Sequence, residues 1–216
     1  MSYNLHNLRV VGLDVAEILY CTIQGKIGEH SSLVLGAYLK GGEEAIYGSP
    51  AYCPIEIEHD NGKEAEILFS GILSDICLEK YSGMDFVRIE GKSYSWLMDL
   101  TKRSRSFQDV QMSYQAMAEA VMKGYPGSRL VFAGPEKSIG KLIVQYEETD
   151  WAFLKRTMSS IGLTATPYDR QGGLNLYIGV PQLPERGLSY RLLAMVKDMD
   201  LYYHLKANNR PVFAAD

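Results

Sequence analysis

Short runs of apolar residues, broken by polar and Gly-containing stretches, fill the first ninety-odd positions and read as antiparallel sheet, and where apolar and polar residues alternate with period two successive side chains fall on opposite faces of an extended chain. Leu8 to Val11, Glu17 to Gln24 and Ser32 to Leu39 are rich in Val, Ile, Leu and Tyr, with Gly-containing breaks at Gly25 to Gly28 and at Gly41 and Gly42 between them. Ile55 and Ile57 alternate with Glu56 and Glu58 and run into Asp60-Asn61-Gly62. Asn-Gly supplies the positive φ angles of a type I′ hairpin turn, and Ile67 and Phe69 lead away from it. Ile72 to Leu78 and Phe86 to Glu90 flank Tyr81-Ser82-Gly83, a second hairpin. Short strands at this close spacing predict a small antiparallel barrel or a strongly twisted sandwich, either of which protects strand edges.

From Ser93 the period changes to that of a helix. Ser93 or Ser95 is placed to cap a short helical turn carrying Trp96, Leu97 and Leu100, and Ser113 caps a second helix with Tyr114, Met117, Ala118 and Val121 at i, i+3, i+4 and i+7. Gly124 and Pro126 end it, and the Pro- and Gly-rich stretch from Tyr125 to Ser138 reads as a surface loop. Leu142, Val144 and Tyr146 then alternate with Ile143, Gln145 and Glu147 as a strand. Thr149 or Asp150 offers an N-cap oxygen to a helix whose apolar stripe is Trp151, Leu154, Met158 and Ile161 and whose left-handed stop is Gly162. Leu163 to Pro167 and Leu174 to Val180 bracket a hairpin at Asp169 to Gly173. Gln182 to Gly187 reads as a linker, followed by strands at Tyr190 to Val196 and Leu201 to Lys206.

The fold class is therefore α+β and mainly β. A small antiparallel β-barrel spans residues 1–92 and a small α+β unit residues 93–181. Residues 182–216 hold a linker and strands that either begin a second barrel or return to the first. The chain stops soon after Pro211-Val212-Phe213 without a polar tail, as expected of a chain cut short.

Composition narrows the function. The chain has 216 residues, 46% of them hydrophobic, enough for one large or two small cores. Its 22 basic and 26 acidic residues leave a net charge of -4, which offers no electrostatic footprint for nucleic acid and no polybasic membrane anchor. No apolar run is long enough for a signal peptide or a spanning helix, so synthesis in the bacterial cytoplasm is expected. Cys21, Cys53 and Cys77 are three in number and sit among strand-like residues, which predicts buried free thiols.

Candidate chemistry is sparse. His59-Asp60 lies beside a turn, where Asp serves turn geometry. Glu147, Glu148 and Asp150 cluster at a helix start, where acidic groups favour the dipole and cap free N–H groups. No phosphate-binding loop, dinucleotide fingerprint, zinc motif or nucleophile elbow is present, so neither catalytic residues nor a cofactor nor a metal site is expected. Lys102, Arg103 and Arg105 read either as a solvated run after a short helix or as a docking strip for an acidic neighbouring surface. Tyr202 and Tyr203 suit interface anchors or strand packing equally.

Residue identities add a resemblance. The order Gln145-Tyr146-x-Glu148-Thr149-Asp150-Trp151-x-Phe153-Leu154-x-Arg156 is similar to a signature of the phage late control gene D and VgrG family, the baseplate hubs of contractile tails and type VI secretion machines. Upstream, Ser95-Trp96-Leu97-Met98-Asp99 followed by Arg103-Ser104-Arg105-Ser106-Phe107-Gln108 matches a second block in the family's order. The match is best over residues 66–180 and departs at Ile161, where the family usually has Glu. The resemblance implies a structural hub subunit, a homotrimer whose barrels form a collar joining the tail tube protein to a spike or needle protein, incorporated in a tail baseplate or injection apparatus. Gln145, Tyr146, Asp150, Trp151, Phe153 and Leu154 would then be packing residues of the signature helix. A peptidoglycan-cleaving tail component and a generic β-rich binding module are the alternatives.

Overall fold

The computed structural model describes residues 5–40, 53–60, 62, 64–81, 84–179 and 200–205. After a single 3₁₀ turn, Leu5–Asn7, the chain forms strands β1 (Leu8–Val11), β2 (Val15–Lys26), β3 (Ser32–Leu39), β4 (Pro54–Asp60), β5 (Ala65–Tyr81) and β6 (Met84–Ser93). With β12 (Asp200–Leu205) they make a seven-stranded sheet in the order β1-β4-β5-β6-β3-β2-β12, every neighbouring pair antiparallel. Period-two alternation sends Leu33, Leu35, Ile55, Ile57, Phe69 and Ile89 to one face, where they are buried in a single cluster. That cluster draws its buried residues from the strands of this one sheet and the β1–β2 turn, so the sheet curls over its own inner face as a half-barrel. Each of these side chains contributes about 1.5–3 kcal/mol by leaving water.

The strands expected at Ile67 to Phe69 and Ile72 to Leu78 are one strand, β5, which passes straight through Gly71. A Cβ at Gly71 would lie 2.2 Å from the Lys92 carbonyl oxygen, so glycine there permits close backbone approach to β6 and is no break. Of the three free cysteines only Cys21 is buried; Cys53 is half-buried and Cys77 exposed, because Ile76 and Leu78 take the inward phase of β5. Gly41, Gly42, Asn61, Ser82, Gly83, the linker at 182–187, the expected strand at 190–196 and residues 211–213 lie outside the described residues.

A 3₁₀ helix, Tyr94–Asp99, leads from β6 into β7 (Lys102–Phe107). The rest is α1 (Tyr114–Met122), β8 (Arg129–Ala133), β9 (Ile143–Thr149), α2 (Asp150–Ser159), β10 (Ala165–Pro167) and β11 (Asn175–Gly179). Strands β7 and β9 pair antiparallel, and β10-β11-β8 form a small mixed sheet with β8 and β11 parallel. A second hydrophobic cluster holds Met117, Val121, Phe153, Leu154, Met158 and Ile178 and shares no buried residue with the first.

Ser113 caps α1 as its sequence predicts, accepting from the Ala116 N–H at 3.0 Å, and Gly162 ends the α2 region at φ +75°. Three expectations are corrected. Ser93 stands at the N-cap position of the 3₁₀ helix but makes no side-chain cap bond, since its hydroxyl is engaged by Ser31 and Ser95; the helix carries Trp96 and Leu97 as expected, with Leu100 just past its end and Met98 fully buried. The run Lys102 to Phe107 is a strand and no solvated tail of a helix, because alternating Arg103, Arg105 and Phe107 fit one face of β7. The stretch from Tyr125 to Ser138 contains β8, with Leu130 and Phe132 packed against the second core; a five-residue strand between Pro- and Gly-rich flanks carries little local signal.

Candidate functional site

The α2 start is built around one buried carboxylate. Asp150, whose side chain is 1% exposed, forms a short ion pair with Arg105 and a second with Arg103 at 3.2 Å. The Tyr125 hydroxyl donates to its Oδ2 at 2.8 Å and the Gln145 amide to its Oδ1 at 2.9 Å. Gln145 is itself fully buried; its Oε1 accepts from Arg105 Nε at 2.7 Å and its amide nitrogen also donates to the Glu148 carbonyl. Burial, and then the hydrogen bond to Asp150, push the Tyr125 phenol well above its ordinary pKa of 10.0, so it stays a donor. Two guanidiniums, a phenol and an amide thus offset the desolvation of one carboxylate.

The acidic cluster at this helix start is divided in its roles. The cap is Thr149, which accepts from the Ala152 N–H at 3.2 Å. Asp150 turns back to the β7–β9 pair, while Glu148 forms a two-pronged pair with Arg156 at 3.0 and 2.8 Å. Among the described residues Glu147 is the non-glycine residue at positive φ, +48°, where the β7–β9 register shifts between Arg103 and Arg105. The bulge lets Ser104 Oγ accept from the Glu147 N–H at 3.2 Å.

The phase of β9 is the reverse of what its apolar residues suggest. Ile143 and Gln145 point inward, whereas Leu142, Val144 and Tyr146 are 58%, 45% and 76% exposed. Val144 lies opposite Ser106, and the exposed Val110 receives the Gly140 N–H close to the start of the row. Gln145, buried by the needs of Asp150, sets this phase. The other signature residues are core: Trp151 is 3% exposed, Leu154 fully buried, and Phe153 stacks on Phe107 at 5.6 Å. Of the basic strip, Arg103 and Arg105 are engaged by Asp150, and Lys102 is exposed.

A second polar assembly joins the curled sheet to the α+β unit. His30, at the β2–β3 turn, bonds Ser95 Oγ through Nδ1 at 2.7 Å and Asp99 Oδ2 through Nε2 at 2.9 Å, and its ring lies 4.5 Å from that of Trp151. Thr149 Oγ1 donates to the other Asp99 oxygen. Ser95 Oγ lies 2.9 Å from Ser93 Oγ, which accepts from the Ser31 N–H at 3.1 Å. Salt bridges Lys155–Glu29 and Arg170–Glu66, at 2.9 and 3.3 Å, flank this joint. Sequence reading missed the assembly, because its members lie up to 119 positions apart (Thr149 against His30) and Ser93 and Ser95 resemble helix caps.

Ser95, His30 and Asp99 are the residue types of a hydrolytic triad, yet the geometry is that of a structural tie. Ser95 is 2% exposed and its hydroxyl sits between His30 and Ser93, leaving it no path to a substrate carbonyl. An open groove of about 660 Å³ runs along β1 and the first half of β2, and its lining includes neither His30 nor Ser95. Among the described residues no three His, Cys, Asp or Glu side chains cluster as a metal site, and no helix is long and apolar enough to cross a membrane.

The structure is thus a curled antiparallel sheet bearing a small α+β unit, with one buried carboxylate, Asp150, held by two arginines. Residues 44–178 match the phage tail baseplate hub (GPD) family, and the chain belongs to that family, whose role is structural. It is similar in fold to an Escherichia coli component of the type VI secretion system, itself described as resembling bacteriophage T4 tail proteins, at TM-score 0.62 and 11% identity over 84% of this chain and 53% of that one. A 43 kDa tail protein of prophage MuSo2 from Shewanella oneidensis matches at TM-score 0.62 and 15% identity, over 84% of this chain and 55% of that one. A tail protein from Neisseria meningitidis MC58 matches at TM-score 0.59 and 16% identity, over 79% and 49% respectively. The chain thus spans about half the length of these solved structures. Comparison with curated protein sequences finds no match.

Proposed function

We propose that this chain is a non-enzymatic part of a baseplate hub that acts by geometry: three copies form a collar joining a tail tube to a spike or needle in a phage tail or related injection apparatus, after synthesis in the bacterial cytoplasm. In this reading residues 1–92 are the collar barrel, residues 93–181 an α+β insert, and residues 182–216 a linker and strands that begin a second barrel or return to the first. The family match over residues 44–178 carries the proposal. Light scattering on the natural full-length protein tests it: a trimer at micromolar concentration is expected, and a monomer that stays monomeric with tube and spike proteins present overturns the collar.

In this reading Lys102, Arg103 and Arg105 remain the candidate docking strip for the tube subunit. Reversing Arg103 or Arg105 would strip the partners from buried Asp150 and damage the fold, so Lys102 is the strip's clean probe, together with the neighbouring row Leu142, Val144 and Tyr146. Lys102→Glu and Tyr146→Asp, each in a pull-down with the tube subunit, are expected to reduce capture at least fivefold at unchanged thermal stability. Capture equal to the natural chain by both variants would rule this face out.

A further inference from the structure

We infer that the His30 chain is a proton-sensitive joint between the curled sheet and the α+β unit, locked while the His30 ring is neutral and loosened when that ring takes up a second proton. The two hydrophobic clusters are separate, and between them run the Ser31–Ser93 and His30 hydrogen bonds, the Lys155–Glu29 and Arg170–Glu66 ion pairs and the His30–Trp151 ring contact. His30 sits at the centre of those contacts. Both nitrogens of its ring reach the 3₁₀ helix that follows β6, and the ring is tilted against Trp151 of α2.

The directions of the hydrogen bonds make the joint sensitive to a proton. The Asp99 carboxylate can only accept, so His30 Nε2 carries the hydrogen and Nδ1 presents a lone pair. Ser95 therefore donates to Nδ1, Ser93 donates to Ser95, and the Ser31 N–H donates to Ser93. Each link has one donor and one acceptor, all running toward the carboxylate. A proton added at Nδ1 reverses the segment: Nδ1–H must donate to Ser95, Ser95 must turn to Ser93, and Ser93 then receives two donors. Its own hydroxyl proton has to be redirected within a site that is 1% exposed. Buried polar chains lose stability when a link is left unmade.

The surrounding charges are few and named. Asp99 from the 3₁₀ helix and Glu29 from the same turn favour the charged ring, and Lys155 from α2 opposes it. Burial outweighs the two carboxylates and holds His30 below its ordinary 6.5. The sign follows: a group with a depressed folded pKa contributes stability at pH above 6.5 that is lost as pH falls through the folded pKa. Asp169, at the β10–β11 hairpin, accepts from the Ser31 side chain, and burial raises its pKa above the usual 3.8. Its proton uptake on acidification favours the folded state, so loosening of the joint cannot come from it.

The test combines an NMR titration of the histidines with hydrogen exchange, corrected for intrinsic rates, between pH 7.5 and 5.5. His30 is expected to be the Nε2–H tautomer at pH 7.5, to titrate below 6.5, and to show at least tenfold faster corrected exchange at Ser31, Ser93 and the first turn of α2 at the acid end. Amides of β3 and α1 should hold their protection. Ser95→Ala removes the donor that opposes protonation, so His30 should titrate at a higher pH there, and His30→Gln should abolish the acid-induced exchange. A natural-chain midpoint at or above 6.5, or joint amides whose corrected exchange is the same at both pH values, overturns the inference even if both variants fail to fold.

Discussion

At the scale of single residues, Asp150 decides more than any other side chain described. It is a buried carboxylate whose charge is matched by Arg103 and Arg105 and whose remaining lone pairs are taken by Tyr125 and Gln145. Removing Asp150 leaves two guanidiniums that are 43% and 28% exposed and so partly screened by water, together with the Tyr125 hydroxyl and buried Gln145 short of an acceptor, which costs about 1–3 kcal/mol. Asp150→Ala should therefore lower unfolding free energy by that amount in a urea titration, and Asp150→Asn by less, because an amide oxygen still accepts. Gln145→Ala should cost about 1–3 kcal/mol for the acceptors and donors it abandons. Equal, small effects of all three would mean that Asp150 is solvated in the native ensemble. Trp151→Ala belongs with these: a ring 3% exposed and tilted against His30 should cost about 3–5 kcal/mol. Ser95, by contrast, is a tie and no nucleophile, so a fluorophosphonate probe should leave it unlabelled under conditions that saturate a serine hydrolase, as mass spectrometry would read.

Elements differ in how far their sequence foretold them, and the difference is physical. The bounds of β3 are legible because a Leu- and Val-rich run lies between Gly-containing breaks, and those of α1 because a serine cap precedes a regular apolar stripe. Strand β9 was located but its facing was not, since apolar Leu142, Val144 and Tyr146 point out and polar Gln145 points in. Hydrophobicity assigns faces only where no buried charge competes, and Asp150 competes there. Strand β8 escaped notice because its parallel partner β11 lies more than forty positions away and no local pattern records it. The candidate site was legible only in parts: Gln145, Asp150, Arg103 and Arg105 each stood out, but their convergence depends on the β7–β9 register, which sequence does not print. The cap of α2 offers a test at this scale. Thr149 Oγ1 accepts from Ala152 and donates to Asp99, so Thr149→Ala should cost about 1–2 kcal/mol by thermal or chemical denaturation, nearer the upper figure than Ser113→Ala, while Thr149→Ser restores most of it.

For the whole molecule the decisive fact is that two separate hydrophobic clusters meet at a seam that holds the His30 hydrogen-bond chain and the His30–Trp151 ring contact. Leu35 belongs to the cluster under the curled sheet and Met117 to the cluster between α1, α2 and the small sheets. Each is fully buried, so Leu35→Ala and Met117→Ala should each cost about 2–5 kcal/mol. Sites that share no packing partner add within about 0.3–0.5 kcal/mol, whereas sites in contact through a common network do not. The double variant Leu35→Ala/Met117→Ala should therefore fall within that margin of the sum of its parts. His30→Gln/Trp151→Ala should miss the sum of its own single variants by more than 0.5 kcal/mol, since the two rings lie 4.5 Å apart across the joint. Chemical denaturation of the six variants at pH 7.5 measures both cycles. If the Leu35 and Met117 pair proved strongly coupled and the His30 and Trp151 pair additive, the molecule would have one continuous core, and the joint would be ornament on it. The expected pattern instead describes two stiff bodies whose relative position is set by the hydrogen bonds and the ring contact of that seam, a layout that lets a scaffold subunit hold its shape while its parts adjust to the neighbours they meet.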